Sequence, residues 1–375
     1  MKKNTFVIFL IFFFLFFFLF SGKLLAKGLK ESFYGLFKLK EASFYKKLDK
    51  KAVSCLLCPR RCRIPEGERG FCRVRLNKGG KLFTITYGCP CAVHIDPVEK
   101  KPLFHVLPGS AVFSIASAGC NLKCKFCQNW TISQTTPEYT YNYNLPPEEV
   151  VAAAKRKRCL SIAYTYTEPT SFYEYMLDTA KAARKQGVFN LFHSCGYINP
   201  EPLRKISQYL DAGNVDLKGF SGDFYQKACS AELQPVLETL KILKEEGVWI
   251  EITNLVIPTL NDESGLIKEM CLWIRDNLGE DVPLHFSRFH PDYKMRNLPP
   301  TPLKTLEHAH RTAKEAGLKY VYIGNVPGHP AENTYCPKCG KILIERRGYT
   351  VLQNNIKEGC CKFCREPIAG IWSKK

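Results

Sequence analysis

The sequence predicts an α/β protein in which a parallel sheet is flanked by two small cysteine-rich modules. Between residues 108 and 327, apolar strand patterns alternate with amphipathic helical patterns, which is typical of a sheet covered by crossover helices. The chain has 18 cysteines, and short C-x-x-C spacings in a chain with a large core indicate metal ligation rather than a disulfide framework. We therefore expect the protein to work in a reducing compartment.

The first 30 residues are a hydrophobic segment that we exclude from the predicted fold. Nineteen uncharged residues, mostly Phe, Leu and Ile, run from Asn4 to Gly22 between flanking lysines. A helix of that length measures about 28 Å, which suits a membrane anchor or the core of a signal peptide. We expect a membrane anchor with the catalytic part in the cytoplasm. The alternatives are an exported protein, if the segment is cleaved, and a soluble cytoplasmic one, if the start codon is assigned too far upstream.

Residues 31–107 form the predicted N-terminal module. It contains four cysteines with irregular spacing, Cys55, Cys58, Cys62 and Cys72, between turn-forming stretches such as "PEGERG". Four thiolates suit either zinc or a second iron–sulfur cluster, and the spacing does not separate the two. Cys89 and Cys91 have no assigned role.

Residues 108–327 are the predicted core, with six strands separated by helices. The strand patterns are "AVFSIAS", "LSIAYTY", "VFNLFHS", "NVDLKG", "VWIEITNLVIP" and "PLHFSRF". Prolines near helix starts and Gly187, Gly213, Gly247 and Gly279 near helix ends support the assignment. Periodicity alone leaves two architectures open, a partial barrel and a doubly wound open sheet.

Polar residues follow the predicted strands where each strand ends. In either architecture the carboxyl ends of parallel strands meet at one edge, where functional residues concentrate. The three-cysteine loop follows the first strand, and the other strand ends carry Glu168, Ser194 with Cys195, Asp216 with Lys218, Asn254 and His290. We expect these side chains to form one site.

The loop "SAGCNLKCKFCQNW" carries Cys120, Cys124 and Cys127 in a C-x3-C-x2-C spacing. Three thiolates can hold three irons of a cubane iron–sulfur cluster and leave the fourth iron open for a ligand. A structural zinc ion requires four ligands. The alternative is therefore a zinc site completed by a distant His or Cys.

This loop, with Phe126 just before its last cysteine, resembles the signature loop of radical S-adenosylmethionine (SAM) enzymes and is most similar to the activating enzymes of glycyl-radical enzymes. The resemblance implies a partial (β/α)6 barrel of the TIM type. It also implies a [4Fe–4S] cluster whose open iron binds SAM. One electron then cleaves SAM to methionine and a 5′-deoxyadenosyl radical, which abstracts hydrogen from a protein glycine, a peptide or a small molecule.

The same resemblance implies roles for the strand-end residues. "YTYTEPT" places Thr167 and Glu168 where such activating enzymes bind the methionyl amino group, and "VDLKG" resembles their Asp-x-Lys element. "FHPDY" makes His290 a candidate contact to cofactor or substrate. The implied catalytic residues are His290, Asp216 and Lys218, and the implied cofactor-binding residues are Glu168, Thr167, Phe126, Ser194, Asp216 and Lys218. "HSCGY" departs from the family pattern, because Cys195 stands where Asn is expected.

Stretches on both sides of the core, including "CLLCPRRCRIPEGERGFCRVR" and "CPKCGKILIERRGY", resemble the radical enzyme of the three-gene AmmeMemoRadiSam system. This resemblance runs from about residue 50 to the C-terminus. It implies association with proteins of the Memo and AMMECR1 families and a low-potential electron donor of the flavodoxin or ferredoxin type. It assigns no substrate.

Residues 328–375 form the predicted C-terminal module. Cys336, Cys339, Cys361 and Cys364 make two C-x2-C pairs, a spacing typical of a zinc ribbon with four thiolate ligands. An auxiliary cluster and a rubredoxin-like iron are the alternatives. Cys360 adjoins Cys361, but the symmetry of the two pairs favours Cys361 as the ligand.

The formal charge of +19 raises a second class of function, a basic protein whose zinc ribbons bind nucleic acid or support RNA modification. The basic residues are scattered over amphipathic helices, however, and few alternate with aromatic residues as a single-strand groove requires. A pure binding protein also has no use for an open-iron loop. The sequence therefore favours the enzyme, and we do not expect nucleic acid as a partner.

Overall fold

The computed structural model describes residues 39–373. The hydrophobic segment 1–30 lies outside this range, so a membrane anchor stays a prediction. Within residues 39–373, no helix is both long enough and apolar enough to cross a bilayer.

An eight-stranded sheet forms the centre of the protein, in the spatial order β14-β13-β12-β11-β10-β9-β8-β7. Strands β8 to β14 are parallel to one another, and β7 pairs antiparallel with β8. This confirms the predicted parallel α/β sheet. The strands are β7 (Ala92–Pro97), β8 (Ala111–Ala116), β9 (Ser161–Tyr164), β10 (Phe189–Ser194), β11 (Ala212–Asp216), β12 (Trp249–Val256), β13 (Leu284–Arg288) and β14 (Val321–Gly324).

The strand order decides between the two architectures that the sequence left open. A doubly wound sheet needs a point where the order of strands reverses, and this sheet has none from β8 to β14. The doubly wound alternative is therefore wrong. Because crossovers between parallel strands are right-handed, stepping always to the next strand places the connecting helices on one face of the sheet.

Two strands of this sheet are absent from the predicted six. β7 contains His94, Asp96 and Pro97 and is partly exposed, so it lacks the continuous apolar run that marks a buried strand. β14 has only four residues. β7 also lies in residues that the sequence assigned to the N-terminal module, yet it pairs along its whole length with β8.

The helices cover the sheet through apolar stripes at helical spacing. α6, for example, buries Val236, Leu240 and Leu243. The five helices predicted in the core are all present, but Gly213 lies inside β11 rather than at a helix end. The helices are α1 (Trp130–Ser133), α2 (Pro147–Arg156), α3 (Tyr173–Lys185), α4 (Pro200–Ser207), α5 (Gly222–Phe224), α6 (Gln234–Glu245), α7 (Ser264–Leu278) and α8 (Leu303–Glu315).

The N-terminal module contains two small antiparallel sheets, ordered β1-β6-β5 and β2-β3-β4. The buried guanidinium of Arg75 ties this module to the core, because its two terminal nitrogens lie 2.9 and 2.8 Å from the carboxylate oxygens of Glu174 on α3. The strands are β1 (Lys40–Glu41), β2 (Tyr45–Lys47), β3 (Val53–Cys55), β4 (Arg63–Ile64), β5 (Arg75–Lys78) and β6 (Lys81–Thr84).

The C-terminal module has a three-stranded sheet, β15-β16-β17, and a two-stranded ribbon, β18-β19. Arg346 joins it to the segment before β8 by donating to the carbonyl of Phe104 at 2.7 Å. Within the module, Arg346 also donates to the hydroxyl of Thr334 at 2.8 Å. The strands are β15 (Thr334–Tyr335), β16 (Ile342–Arg347), β17 (Thr350–Asn354), β18 (Ile356–Lys357) and β19 (Cys360–Cys361).

A buried carboxylate on β12 fixes the segment that leads from β7 into β8. Glu251 accepts hydrogen bonds from the backbone N–H groups of Phe104 and His105 at 3.0 and 2.8 Å and contacts the ring of His285 at 2.7 Å. The His105 ring lies against the Ala369 carbonyl and the Tyr322 hydroxyl. Each buried polar group thereby has a partner, which avoids the cost of an unpaired one.

This network predicts a pH-dependent stability. Burial lowers the pKa of His105 to about 4 from an ordinary 6.5, so between these values the unfolded chain binds a proton that the folded chain does not. The contribution of neutral His105 to the free energy of unfolding is fully present above pH 6.5. It falls by up to about 3 kcal/mol as the pH drops to 4. Urea unfolding at several pH values measures this, and His105→Gln should flatten the slope. An unchanged slope in that variant would exclude His105 as the cause.

Candidate active site

The three-cysteine loop leaves β8 and is held by backbone hydrogen bonds from a neighbouring element. A single turn of π-helix, Tyr225–Cys229, follows α5. The N–H of Lys123 donates to the carbonyl of Cys229 at 3.0 Å, and the N–H of Lys125 donates to the carbonyl of Ala228 at 2.9 Å. Single π-turns are frequent at functional sites, and here the turn supports the loop directly.

The thiols of Cys120 and Cys124 are buried, that of Cys127 is partly buried, and all three have raised pKa values. Burial raises the pKa of Cys120 well above its ordinary value. For Cys124 the largest cause of a raised pKa is a hydrogen bond with the thiol of Cys229, followed by burial. A metal centre would bind them as thiolates, since coordination removes the proton.

The spacing of the three sulfurs tests the zinc alternative. Tetrahedral zinc with Zn–S bonds near 2.3 Å places its sulfurs roughly 3.8 Å apart. Cys120, Cys124 and Cys127 do not form a group within 4.8 Å of one another in residues 39–373. They also form no disulfide. The three sulfurs therefore do not form a preformed site for one zinc ion.

Glu168 lies fully buried at the end of β9. Its Oε1 accepts hydrogen bonds from the N–H and hydroxyl of Thr170, at 3.1 and 2.8 Å, and from the Ser194 hydroxyl at 2.7 Å. Its Oε2 accepts one, from the N–H of Cys195 at 2.8 Å. The carboxylate is thus oriented by the ends of two adjacent strands, as the sequence predicted for Glu168 and Ser194.

Asp216 and Lys218 form an ion pair at the end of β11, with Nζ 2.8 Å from Oδ2. The ring of His193 on β10 lies 3.2 Å from Oδ1 of the same carboxylate. Burial acts to raise the pKa of Asp216, but Lys218 and His193 hold it well below its ordinary value. The Lys218 ammonium also interacts electrostatically with the thiols of Cys124 and Cys195, which places the pair beside the cysteine loop.

Phe126 and Thr167 have packing contacts that position the site. The buried Phe126 ring stacks on Phe224 at 6.2 Å between centroids, and the ammonium of Lys218 lies 5.6 Å from the Phe126 centroid. The Thr167 hydroxyl donates to the carbonyl of Ser117 at 2.7 Å, which joins the loop after β9 to the loop after β8.

His290 is exposed in the segment after β13, and its predicted role stays a prediction. The same segment reaches the cysteine loop. The N–H of Lys294 donates to the carbonyl of Lys125 at 3.0 Å, and the ring of Tyr293 stacks on Trp130 at 5.2 Å. His290 is therefore on the segment that contacts the cysteine loop.

Two residues belong to the site that the sequence did not assign to it. His193 begins the quoted motif "HSCGY", and its position two residues before Cys195 at a strand end was the available signal. Cys229 belongs to none of the cysteine motifs in the sequence. It is fully buried, but it hydrogen-bonds Cys124, and a pattern of isolated cysteines cannot reveal that contact.

Three buried polar atoms near the carboxyl ends of the strands have no hydrogen-bond partner among the described residues. They are the side-chain oxygens of Ser117, Thr253 and Asn254. Buried oxygens without partners are costly, so this edge of the sheet suits a polar ligand. Together with the thiols and the Glu168 carboxylate, it forms a candidate site for a cluster and its ligand.

Comparison with known proteins agrees with this geometry. The model of the radical SAM superfamily matches residues 114–270. An uncharacterized protein of Methanocaldococcus jannaschii is 52% identical over 332 residues, which cover 88% of this chain and 99% of that protein. The chain belongs to the radical SAM superfamily. Membership implies a [4Fe–4S] cluster and SAM, and the three thiols at the end of β8 are the residues that fit the cluster.

More distant relatives of this radical SAM protein include an activating enzyme. The pyruvate formate-lyase-activating enzyme of Clostridium pasteurianum is 22% identical over 196 residues, covering 48% of this chain and 80% of that enzyme. A solved radical SAM methyltransferase from Sphaerobacter thermophilus matches with a TM-score of 0.47 and 14% identity, covering 60% of this chain and 70% of that chain. A solved domain of the pyruvate formate-lyase-activating enzyme from Bacteroides vulgatus matches with a TM-score of 0.40 and 15% identity. The match covers 44% of this chain and 99% of that chain.

The radical SAM protein has a second thiol site in its C-terminal module. The sulfurs of Cys336 and Cys364 lie 3.6 Å apart, those of Cys339 and Cys361 lie 3.8 Å apart, and all four lie within 4.8 Å of one another. Cys360 is not in this group, so the predicted preference for Cys361 is confirmed. The spacing matches what one tetrahedral metal ion requires.

The four N-terminal cysteines are also free thiols in one small module. Unlike the C-terminal set, Cys55, Cys58, Cys62 and Cys72 do not form a group within 4.8 Å of one another among the described residues. These four thiols therefore do not form a preformed site for a single zinc ion.

The two adjacent C-terminal cysteines provide a matched pair for testing the metal site. We expect Cys361→Ser to lose the ion bound by the module and to lower the melting temperature, because the remaining three thiolates bind metal far more weakly. Cys360→Ser should retain one ion per chain. Metal content by mass spectrometry, with thermal unfolding, distinguishes them, and equal metal content in both variants would contradict the assignment of Cys361.

Proposed function

We propose that this protein is an enzyme that uses a cluster held by Cys120, Cys124 and Cys127 to cleave SAM and generate a radical on a substrate. These three cysteines would hold the cluster, which would supply the one-electron chemistry that cleaves a carbon–sulfur bond of SAM and leads to removal of hydrogen from a protein glycine, a peptide or a small molecule. The observation that carries this proposal is that one edge of the sheet brings the three thiols, two of them buried, together with the oriented carboxylate of Glu168.

Glu168 would bind the amino group of SAM. Oε1 already accepts three hydrogen bonds, whereas Oε2 accepts only the one from Cys195. An ionised carboxylate oxygen accepts about two, so Oε2 has capacity for a cationic amino group. Ser194 and Thr170 hold the carboxylate in place, which reduces the entropy lost when the ligand binds.

Lys218 and Asp216 would set the electrostatic environment of the cluster. The Lys218 ammonium lies beside thiols that become anionic on cluster binding, and an adjacent cation stabilises thiolate. Asp216 holds that ammonium and the His193 ring in position. Phe126 would exclude water from this side of the cluster, and exposed His290 would contact cofactor or substrate.

The same proposal extends to the shape of the core. With crossover helices on one face and buried polar groups near the strand ends on the other, the sheet would curve into a partial barrel and enclose the ligand. The sequential strand order supports this shape, since right-handed crossovers leave one face without helices.

For the biological setting we propose an activating-type radical enzyme of the AmmeMemoRadiSam system, with Memo and AMMECR1 family proteins as partners. The support is the resemblance of the flanking motifs and the 22% identity to an activating enzyme. A flavodoxin or ferredoxin type of carrier would supply electrons, the C-terminal site would hold zinc, and the N-terminal segment would anchor the protein to a membrane.

The central test is the production of 5′-deoxyadenosine. The full chain is reconstituted anaerobically with iron and sulfide, and SAM and dithionite are added. We expect 5′-deoxyadenosine from the intact protein and none from the variant in which Cys120, Cys124 and Cys127 are alanine. Cys271→Ala, which changes a buried cysteine of α7, is the matched control and should remain active. Equal product from the triple variant would reject the proposal.

Glu168→Gln tests the proposed binding of the amino group. Either orientation of the amide places an NH2 group against existing donors or against the ammonium, so a charged hydrogen bond worth about 1.5–3 kcal/mol is lost. We expect SAM affinity to fall by roughly tenfold to a hundredfold while the iron content stays unchanged. Equilibrium binding of SAM to the reconstituted protein measures this. Exposed Glu149→Gln is the control, and wild-type affinity in Glu168→Gln would remove Glu168 from the binding site.

A further inference from the structure

The four N-terminal thiols gather around one hairpin. Cys55 ends β3 and its N–H donates to the carbonyl of Cys62 at 2.9 Å, while a turn between them closes with the N–H of Arg61 on the carbonyl of Cys58 at 3.1 Å. Cys55 interacts electrostatically with the thiols of Cys62 and Cys72, and Cys58 interacts with those of Cys55 and Cys72. The four thiols therefore lie close enough to influence one another electrostatically.

The separation of these sulfurs is the first indication of what they hold. The C-terminal thiols converge within 4.8 Å, as one ion requires, and the N-terminal thiols do not. Both sets belong to the same chain and both are free of disulfides. A wider ring of four thiolates suits a cluster of several irons and inorganic sulfides, each thiolate binding iron at the edge of the cluster.

A buried cation beside the thiols is a second, independent indication. The Arg75 side chain is 2% exposed, and its guanidinium interacts with the thiols of Cys55 and Cys72 as well as with Glu174. Its Nε has no hydrogen-bond partner among the described residues. An unpaired buried donor next to four thiols suits an anionic centre, which would accept that hydrogen bond.

The N-terminal module contacts the active-site loop through the backbone of Cys72. A Cβ on Gly119, which has φ +92°, would lie 2.5 Å from the carbonyl oxygen of Cys72, so only glycine permits this approach of the two backbones. Burial raises the pKa of the Cys58 thiol and the side chain of Asn121 acts to lower it, so these two side chains are close to each other. Asn121 is the residue after Cys120, so one residue connects the two sets of thiols.

We propose that Cys55, Cys58, Cys62 and Cys72 hold an iron–sulfur cluster that relays single electrons to the centre held by the active-site loop. The relay role rests on the proposed function, whereas the cluster itself does not. One electron enters from a reduced one-electron carrier protein, which is oxidised. The N-terminal cluster is reduced and then reoxidised as it passes that electron inward, and the cleavage of SAM consumes it. No atom or proton moves between the two centres.

The surface around Cys62 indicates the charge of the carrier. Arg61 and Arg63, on either side of this partly exposed cysteine, are both exposed. On the inner side, the ring of Phe71 lies between the guanidinium of Arg60 at 3.5 Å and the ammonium of Lys123 at 4.3 Å. An acidic carrier protein is complementary to this basic rim, and charge complementarity speeds such encounters.

The N-terminal cluster is tested in a protein that lacks the centre held by the active-site loop. The full chain with Cys120, Cys124 and Cys127 changed to alanine is reconstituted anaerobically with iron and sulfide. We expect about two to four irons per chain and an electron paramagnetic resonance (EPR) signal after dithionite reduction. Adding Cys58→Ser should remove both, and adding Cys159→Ser, a buried cysteine elsewhere, should remove neither. Zinc in place of iron at the N-terminal site would overturn the proposal.

The relay is tested by rapid-freeze EPR of the centre held by the active-site loop. With a reduced acidic ferredoxin as donor, Cys58→Ser should lose the fast phase of reduction seen in the wild type, and this phase should slow as salt is added. With dithionite, which reaches either centre, both proteins should be reduced alike, which shows that the variant is folded. Equal fast phases with ferredoxin would overturn the relay. Absence of 5′-deoxyadenosine from wild type, with the N-terminal EPR signal present, would reject the proposed function and leave the cluster assignment intact.

Discussion

The parallel pairing of seven consecutive strands is the constraint on which the rest of the structure depends. Because every crossover leads to the next strand, all carboxyl ends lie along one edge, and the loops that follow them meet there. Near the other edge, Glu251 binds the backbone of the segment entering β8. The sheet therefore fixes both the position of the cysteine loop and the direction from which it leaves.

The cysteine loop has almost no regular structure of its own, and its shape comes from neighbours. The π-turn Tyr225–Cys229 supports Lys123 and Lys125 on one side, and the segment at Cys72 packs against Gly119 on the other. Held from both sides, the thiols need little rearrangement to bind a cluster, which is what a site built for redox chemistry requires. The N-terminal module thus contributes to the active site as well as to stability.

Two groups of paired buried charges lie next to thiols among the residues that the structure describes. Asp216 with Lys218 and His193 adjoins the active-site cysteines, and Arg75 with Glu174 adjoins the N-terminal ones. A single buried charge would be costly, whereas a paired one is tolerated and still presents its cationic side to an anionic centre. The formal net charge of +19 is a property of the whole chain. The buried cations Lys218 and Arg75 are the ones that lie next to the thiols of the two proposed centres.

The sequence by itself determined the parallel α/β class, the three-cysteine loop, the alignment of Glu168, Ser194, Asp216 and Lys218 with strand ends, and the ligand set of the C-terminal site. These features are local, since they follow from periodicity and from spacings within one loop or pair of loops. Only the tertiary structure decided the strand order, the two additional strands, and the places of His193 and Cys229. Those depend on contacts between residues far apart in the chain, such as Cys58 with Asn121 or Cys72 with Gly119, and no local pattern records which distant segments will touch.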